Sequence, residues 1–217
     1  MSSIKIKICG LFQEQDIDFV NEARPDYAGF VFAPSRRQIS PQTAAAFRAR
    51  LNSGIVPVGV FVNAPAAEIN ALYRNGIIAA AQLHGGESAA FMRELKSLCG
   101  IPIIQAIKSR TLESGTVCGA DSGANRAGIC VPEADFVLFD GDIPGTGKVF
   151  DWNLLARTET EKPWFLAGGI NEQTIDKALA LRPFGIDVSS GAESGGVKDR
   201  KKIIHLTAKV RAALVSE

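Results

Sequence analysis

The sequence predicts an α/β fold, a single-domain (β/α)8 barrel spanning residues 1–217, and three observations carry that expectation. Eight short apolar, β-branched runs recur along the chain, beginning at Ile4, Tyr27, Val56, Ala79, Pro102, Asp135, Trp164 and Gly185. Successive starts lie 21 to 33 residues apart, the length of one strand-plus-helix unit. No Pro/Gly/Ser-rich linker divides the chain, so the units belong to one body. The competing architecture, an open doubly wound sheet, lacks its G-x-G-x-x-G fingerprint after the first strand.

The elements follow in order. Ile4, Ile6 and Ile8 alternate with Lys5, Lys7 and Cys9 in a period-two strand that Gly10 breaks. A helix is expected over Glu14–Ala23, and YAGFVF from Tyr27 forms the second strand. Ser40-Pro41, a capping residue followed by a proline, leads into a helix over Thr43–Leu51. VPVGVFV from Val56 precedes a helix over Ala66–Tyr73, and AAAQL from Ala79 and PIIQAI from Pro102 are the fourth and fifth strands. The stretch from Gly115 to Pro132 is rich in Gly, Ala, Ser and Asn and predicts a weak or short helix with a mobile loop. DFVLF, WFLA and GIDVS supply the last three strands. A final helix is expected over Lys201–Val215, with Ile204, Ala208, Arg211 and Val215 helically spaced.

Composition excludes several classes. Lys+Arg 24 against Asp+Glu 23 leaves almost no net field, so bulk charge offers no case for nucleic acid or an anionic membrane. No run approaches a membrane span, and Lys5 and Lys7 interrupt the only early apolar run, so no signal sequence is expected. Cys9, Cys99, Cys118 and Cys130 contain no Cys-x-x-Cys pair, and with only His84 and His205 beside them a metal site is not expected. The expectation is a cytoplasmic protein with reduced thiols.

In a parallel barrel, chemistry sits at the carboxyl ends of the strands. Every strong polar or glycine cluster of this chain falls there: Cys9; Pro34-Ser35-Arg36-Arg37; Gln82-Leu83-His84-Gly85; Asp140-Gly141; Gly168-Gly169-Ile170-Asn171; Asp187-Val188-Ser189-Ser190-Gly191. Singly, each also reads as a packed residue, a turn or a cap. Jointly, small-residue loops after the seventh and eighth strands are where barrels offer backbone N–H groups to a phosphate. Gly145-Thr146-Gly147-Lys148 lacks P-loop spacing, which argues against nucleotide binding. Cys9 and Asp140 can face each other across the mouth as an acid/base pair: a thiolate takes a proton from carbon, and a carboxylic acid gives one to oxygen. The thiolate needs a nearby cation. Lys7, one layer below on the same face, is expected to keep Cys9 ready to accept a proton, with Asp187 as the partner of Lys7. His84 reads as a hydrogen-bonded supporting residue, and one of Arg36 and Arg37 as a contact to a ligand carboxylate or phosphate.

With these residues in hand, the chain resembles the phosphoribosylanthranilate isomerase family of tryptophan biosynthesis. The matching segments are KICG, GFVF-x-P-S-x-R, VGVFVN, QLHG, FD followed by G-x-G-K-x-FDW, FLAGGIN, and DVSSG-x-E followed by KD, in order from Lys7 to Asp199. The resemblance implies a TIM barrel that converts N-(5′-phosphoribosyl)anthranilate to 1-(o-carboxyphenylamino)-1-deoxyribulose 5-phosphate with no cofactor and no metal. It implies Cys9 as general base, Asp140 as general acid and Arg37 as the grip on the anthranilate carboxylate. Gly169, Ser190 and Gly191 match the phosphate site. The partner is the small-molecule substrate, and the chain acts as a monomer or homodimer. Another phosphosugar barrel enzyme would call for a catalytic Lys/Glu set or an aspartate pair, and Cys9 at the base position argues against both. A non-catalytic phospho-ligand-binding barrel is the alternative from a different class.

Overall fold

Alternation of inward and outward side chains builds this molecule. In a computed structural model describing residues 3–108, 127–128, 131–141, 152, 155 and 158–213, each of the eight expected runs forms a strand: β1 (Lys5–Cys9), β2 (Tyr27–Val31), β3 (Val56–Phe61), β4 (Ala80–Leu83), β5 (Ile103–Lys108), β6 (Phe136–Asp140), β7 (Trp164–Leu166) and β8 (Gly185–Val188). Each pairs in parallel with its sequence neighbours, and β8 returns to β1 to close the barrel.

The helices in the described residues are α1 (Glu14–Ala23), α2 (Pro41–Arg50), α3 (Ala66–Arg74), α4 (Ala89–Cys99), α5 (Ile175–Ala180) and α6 (Arg200–Ala212). Their caps explain their starts. Ser40 accepts from the Thr43 N–H, Ser88 from Phe91, and Asp199 from Lys201 and Lys202. The last of these corrects the sequence expectation. Capped by Asp199, α6 starts at Arg200 rather than Lys201; its buried residues are Ile203, Leu206, Thr207 and Val210, while Ala208 is exposed. The stretch from Gly115 to Pro132 lies largely outside the described residues, as do Cys118, Cys130, Val215 and the loop from 142 to 148.

The pleat sends Ile6, Ile8, Ala81, Leu83, Val137, Phe139, Ile186 and Val188 outward into the apolar layer under the helices. The alternate residues face into the barrel, where Val58, Ala80, Ile104, Ala106, Leu138, Phe165 and Ala167 form a second core. Phe165 anchors that core with edge-on contacts to Tyr27 and Phe184, ring centroids 5.5 and 5.3 Å away. Higher along the same inward faces stand Lys7, Cys9, Gln82, Asp140 and Asp187. Among the described residues, no helix is long and apolar enough to cross a membrane.

Candidate active site

The β1 pleat turns Lys7 and Cys9 into the barrel. Gly29 of β2 sits opposite Cys9, and a Cβ there would lie 2.6 Å from the Cys9 Sγ, so the missing side chain makes room for the thiol. Asp187 of β8 is in register with Lys7, whose fully buried Nζ donates to Asp187 Oδ2 at 2.9 Å and to Gln82 Oε1 at 2.7 Å. Asp187 is thus the Lys7 partner that the sequence reading expects. Burial works against the Lys7 charge, but Asp187 and Cys9 outweigh it and hold the ammonium above its ordinary 10.5.

The Cys9 thiol sits under opposing influences. Burial pushes the thiol above its ordinary 9.0; Lys7 opposes the rise, Asp187 adds to it, Lys198 again opposes, and burial wins. Among the neighbouring charges, Lys7 does most to lower the cost of a thiolate here.

Across the mouth, β4 carries Gln82 and His84 on one face. Gln82 Nε2 lies 3.1 Å from His84 Nδ1, and His84 Nε2 lies 3.3 Å from Asp140 Oδ2 at the end of β6. A continuous polar line therefore runs Asp187–Lys7–Gln82–His84–Asp140. It borders a cavity of about 280 Å³ lined by Cys9, Arg37, His84, Asp140, Gly169 and Ser190, among others. Gly191 is not among the lining residues.

Of the two adjacent arginines, Arg37 lines the cavity and its side chain is 14% exposed, against 50% for Arg36. Arg37 does not stand free. Its Nε and Nη2 donate to the two oxygens of Glu193 at 2.6 and 3.0 Å, and Arg36 donates to Glu193 and to the Gly196 carbonyl. Glu193 is also held by Lys198, 2.9 Å away, whose Nζ donates further to the Ser189 carbonyl at 3.0 Å. A two-stranded ribbon, Glu193–Ser194 paired with Val197–Lys198, sets Glu193 opposite Lys198. Gly195 and Gly196, with φ of 60° and 88°, supply the left-handed turn that joins its strands. Burial opposes the Glu193 charge, yet the Arg37 hydrogen bond, the Lys198 field and bond and the Arg36 bond prevail and hold its pKa at about 2. Burial pulls Lys198 below its ordinary value.

Three site residues, Gln82, Glu193 and Lys198, have no role in the sequence reading. Gln82 is two positions before His84 and so shares its face. S-G-G-V between Glu193 and Lys198 is a two-residue hairpin signal. Among the described residues no group of three His, Cys, Asp or Glu side chains could hold a metal ion.

A profile of the N-(5′-phosphoribosyl)anthranilate (PRA) isomerase family matches residues 6–209. The chain belongs to this family. A relative named N-(5′-phosphoribosyl)anthranilate isomerase, from Endomicrobium trichonymphae, is 42% identical over 97% of this chain and 99% of its own. The crystal structure of phosphoribosyl anthranilate isomerase from Thermus thermophilus is 31% identical, covering 96% of this chain and 99% of that one, with a TM-score of 0.78. A further family structure, 29% identical over 96% of this chain and 99% of that one, with a TM-score of 0.74, is a complex with reduced 1-(o-carboxyphenylamino)-1-deoxyribulose 5-phosphate. In phosphoribosylanthranilate isomerase terms, the cavity and the polar line across the barrel mouth are the region in which to look for the chemistry.

Proposed function

We propose that this chain is an N-(5′-phosphoribosyl)anthranilate isomerase of tryptophan biosynthesis, working in the cytoplasm as one barrel domain that is a monomer or homodimer. Full-length kinship with the isomerases carries the reaction. The geometric support is the meeting of Cys9, Asp140 and Arg37 at one cavity.

The reaction is an aldose–ketose isomerisation of an amino sugar and needs a proton given to oxygen and one taken from carbon. Asp140 protonates the furanose ring oxygen as the bond from that oxygen to carbon 1 breaks, and the anthranilate nitrogen forms an imine with carbon 1. The Cys9 thiolate then removes the proton from carbon 2. The electrons of that C–H bond form the carbon 1–carbon 2 double bond as the π pair of the carbon 1–nitrogen bond moves onto nitrogen, giving an enolamine that tautomerises to the ketose. A protonated Cys9 first gives its proton to solvent water, and Lys7 and Lys198 are the cations whose fields favour that loss. Arg37, fixed edge-on by Glu193, faces the anthranilate carboxylate, and the backbone around Gly169, Ser190 and Gly191 takes the phosphate.

Purified chain supplied with N-(5′-phosphoribosyl)anthranilate is expected to form the carboxyphenylamino deoxyribulose phosphate, and the gene is expected to rescue a tryptophan auxotroph lacking this step. A folded protein that neither turns over the substrate nor rescues growth sinks this reading and favours the binding-barrel alternative.

A further inference from the structure

Gln82 stands 75 residues from Lys7 and two from His84, is fully enclosed, and has hydrogen-bond partners at both ends of its amide. The orientation of that amide is not free. An ammonium has three donors and no acceptor, so Lys7 Nζ at 2.7 Å requires the oxygen of Gln82 on its side. The amide NH2 is then left facing His84 Nδ1 at 3.1 Å. A donor facing Nδ1 requires a lone pair there, which puts the proton of the neutral ring on Nε2, 3.3 Å from Asp140 Oδ2.

We propose that Gln82 is a positioning residue: oriented by Lys7, it fixes the Nε2–H tautomer of His84 and so aims an N–H at Asp140. Two hydrogen bonds, Lys7 to Gln82 and Gln82 to His84, thereby carry a constraint from the β1 cation to the ring that stands 3.3 Å from the β6 carboxyl. Because His84 Nε2 stands 3.3 Å from Oδ2 of Asp140, Oδ1 is the oxygen farther from the ring and the one left to carry the proton that the acid delivers. No proton passes through Gln82; its part is orientation alone, as with the outer residues that set the tautomer of a working histidine.

The ring tautomer is read first on the native chain by imidazole 15N NMR. The chain has two histidines, His84 and His205, and His205 is exposed on α6, so the two rings are assigned with a His205→Gln variant. His84 is expected to carry its proton at Nε2 with a bare Nδ1. A His84 ring protonated at Nδ1 overturns the proposal, whatever any variant does. Gln82→Glu places an oxygen where the NH2 stood. It is expected to move a proton onto Nδ1 and to lower kcat roughly tenfold to a hundredfold with KM within about twofold. A Gln82→Glu protein with the native ring signal and native kcat overturns the proposal as well. The kinetic half rests on the proposed isomerase reaction and the spectroscopic half does not. An Nε2–H ring in a chain that fails to isomerise the substrate supports the orientation and contradicts the function; an active chain with an Nδ1–H ring does the reverse.

Discussion

The two ends of the barrel interior are built from the same strands, yet they hold opposite kinds of matter. At the amino-terminal end the inward positions are Tyr27, Val58, Ile104, Phe136 and Phe165, which join Phe184 in an apolar plug. At the carboxyl end the inward positions carry Cys9, Gln82, Asp140 and Asp187 around a cavity, with Lys7 buried just beneath. Along β4 and β6 the pleat decides only that a residue points inward; its height along the strand decides whether it fills space, as Ala80 and Phe136 do, or is polar, as Gln82 and Asp140 are. The lower layer is stabilised by apolar burial, which needs no specific partner. The upper layer has its buried charges compensated pair by pair, Lys7 by Asp187 and Glu193 by Arg37, Arg36 and Lys198. Substitutions in the two layers should therefore fail differently.

The largest effect is expected at the rim. Asp140→Asn keeps the shape and removes the acid, so turnover should fall by roughly 10²–10⁴ while the thermal midpoint stays near that of the parent. Near-full activity in steady-state assays would remove Asp140 from the mechanism. In the plug, Phe165→Ala should lower stability by about 3–5 kcal/mol in urea denaturation while activity per folded molecule is retained. Loss of activity without loss of stability there would erase the distinction between the layers.

Glu193→Gln tests the compensation itself. With the Glu193 pKa at about 2 in the folded chain against an ordinary 4.5, its charge contributes on the order of 3 kcal/mol above pH 4.5, lost as pH falls toward 2. The variant should be less stable at pH 7 by an amount of that order, and its stability should vary less with pH between 4.5 and 2. Parallel stability-against-pH curves for parent and variant would refute this. The smallest effect separates the arginines. Arg37→Ala should raise KM roughly tenfold, and Arg36→Ala, half in solvent, less than about threefold. The reverse order would mean that Arg36 is the residue facing the ligand.

The barrel was legible because its signals are local. β-branched runs, the period-two alternation of Ile4 to Cys9 and polar clusters after each run all sit within a few residues of one another. Cys9, His84, Asp140, Gly169 and Ser190 at one cavity follow from that arithmetic. What stayed hidden depends on distant partners. Nothing near Gln82 in sequence announces Lys7, and nothing near Arg37 announces Glu193, 156 residues away. For Cys9, the cation on the same strand is visible in sequence, whereas the burial that opposes it is a property of the closed barrel. The buried face of α6, Ile203, Leu206, Thr207 and Val210, depends on how the helix docks on the barrel, which helical spacing alone does not show.

The central claim is that a thiol at the top of β1 acts as the base, opposite the acid Asp140. Turnover of Cys9→Ala, measured beside its affinity for the reduced product, tests this most directly. The expected result is a fall in kcat of roughly 10²–10⁴ with affinity within about twofold of the parent. A Cys9→Ala chain that turns over at close to the parental rate would contradict it.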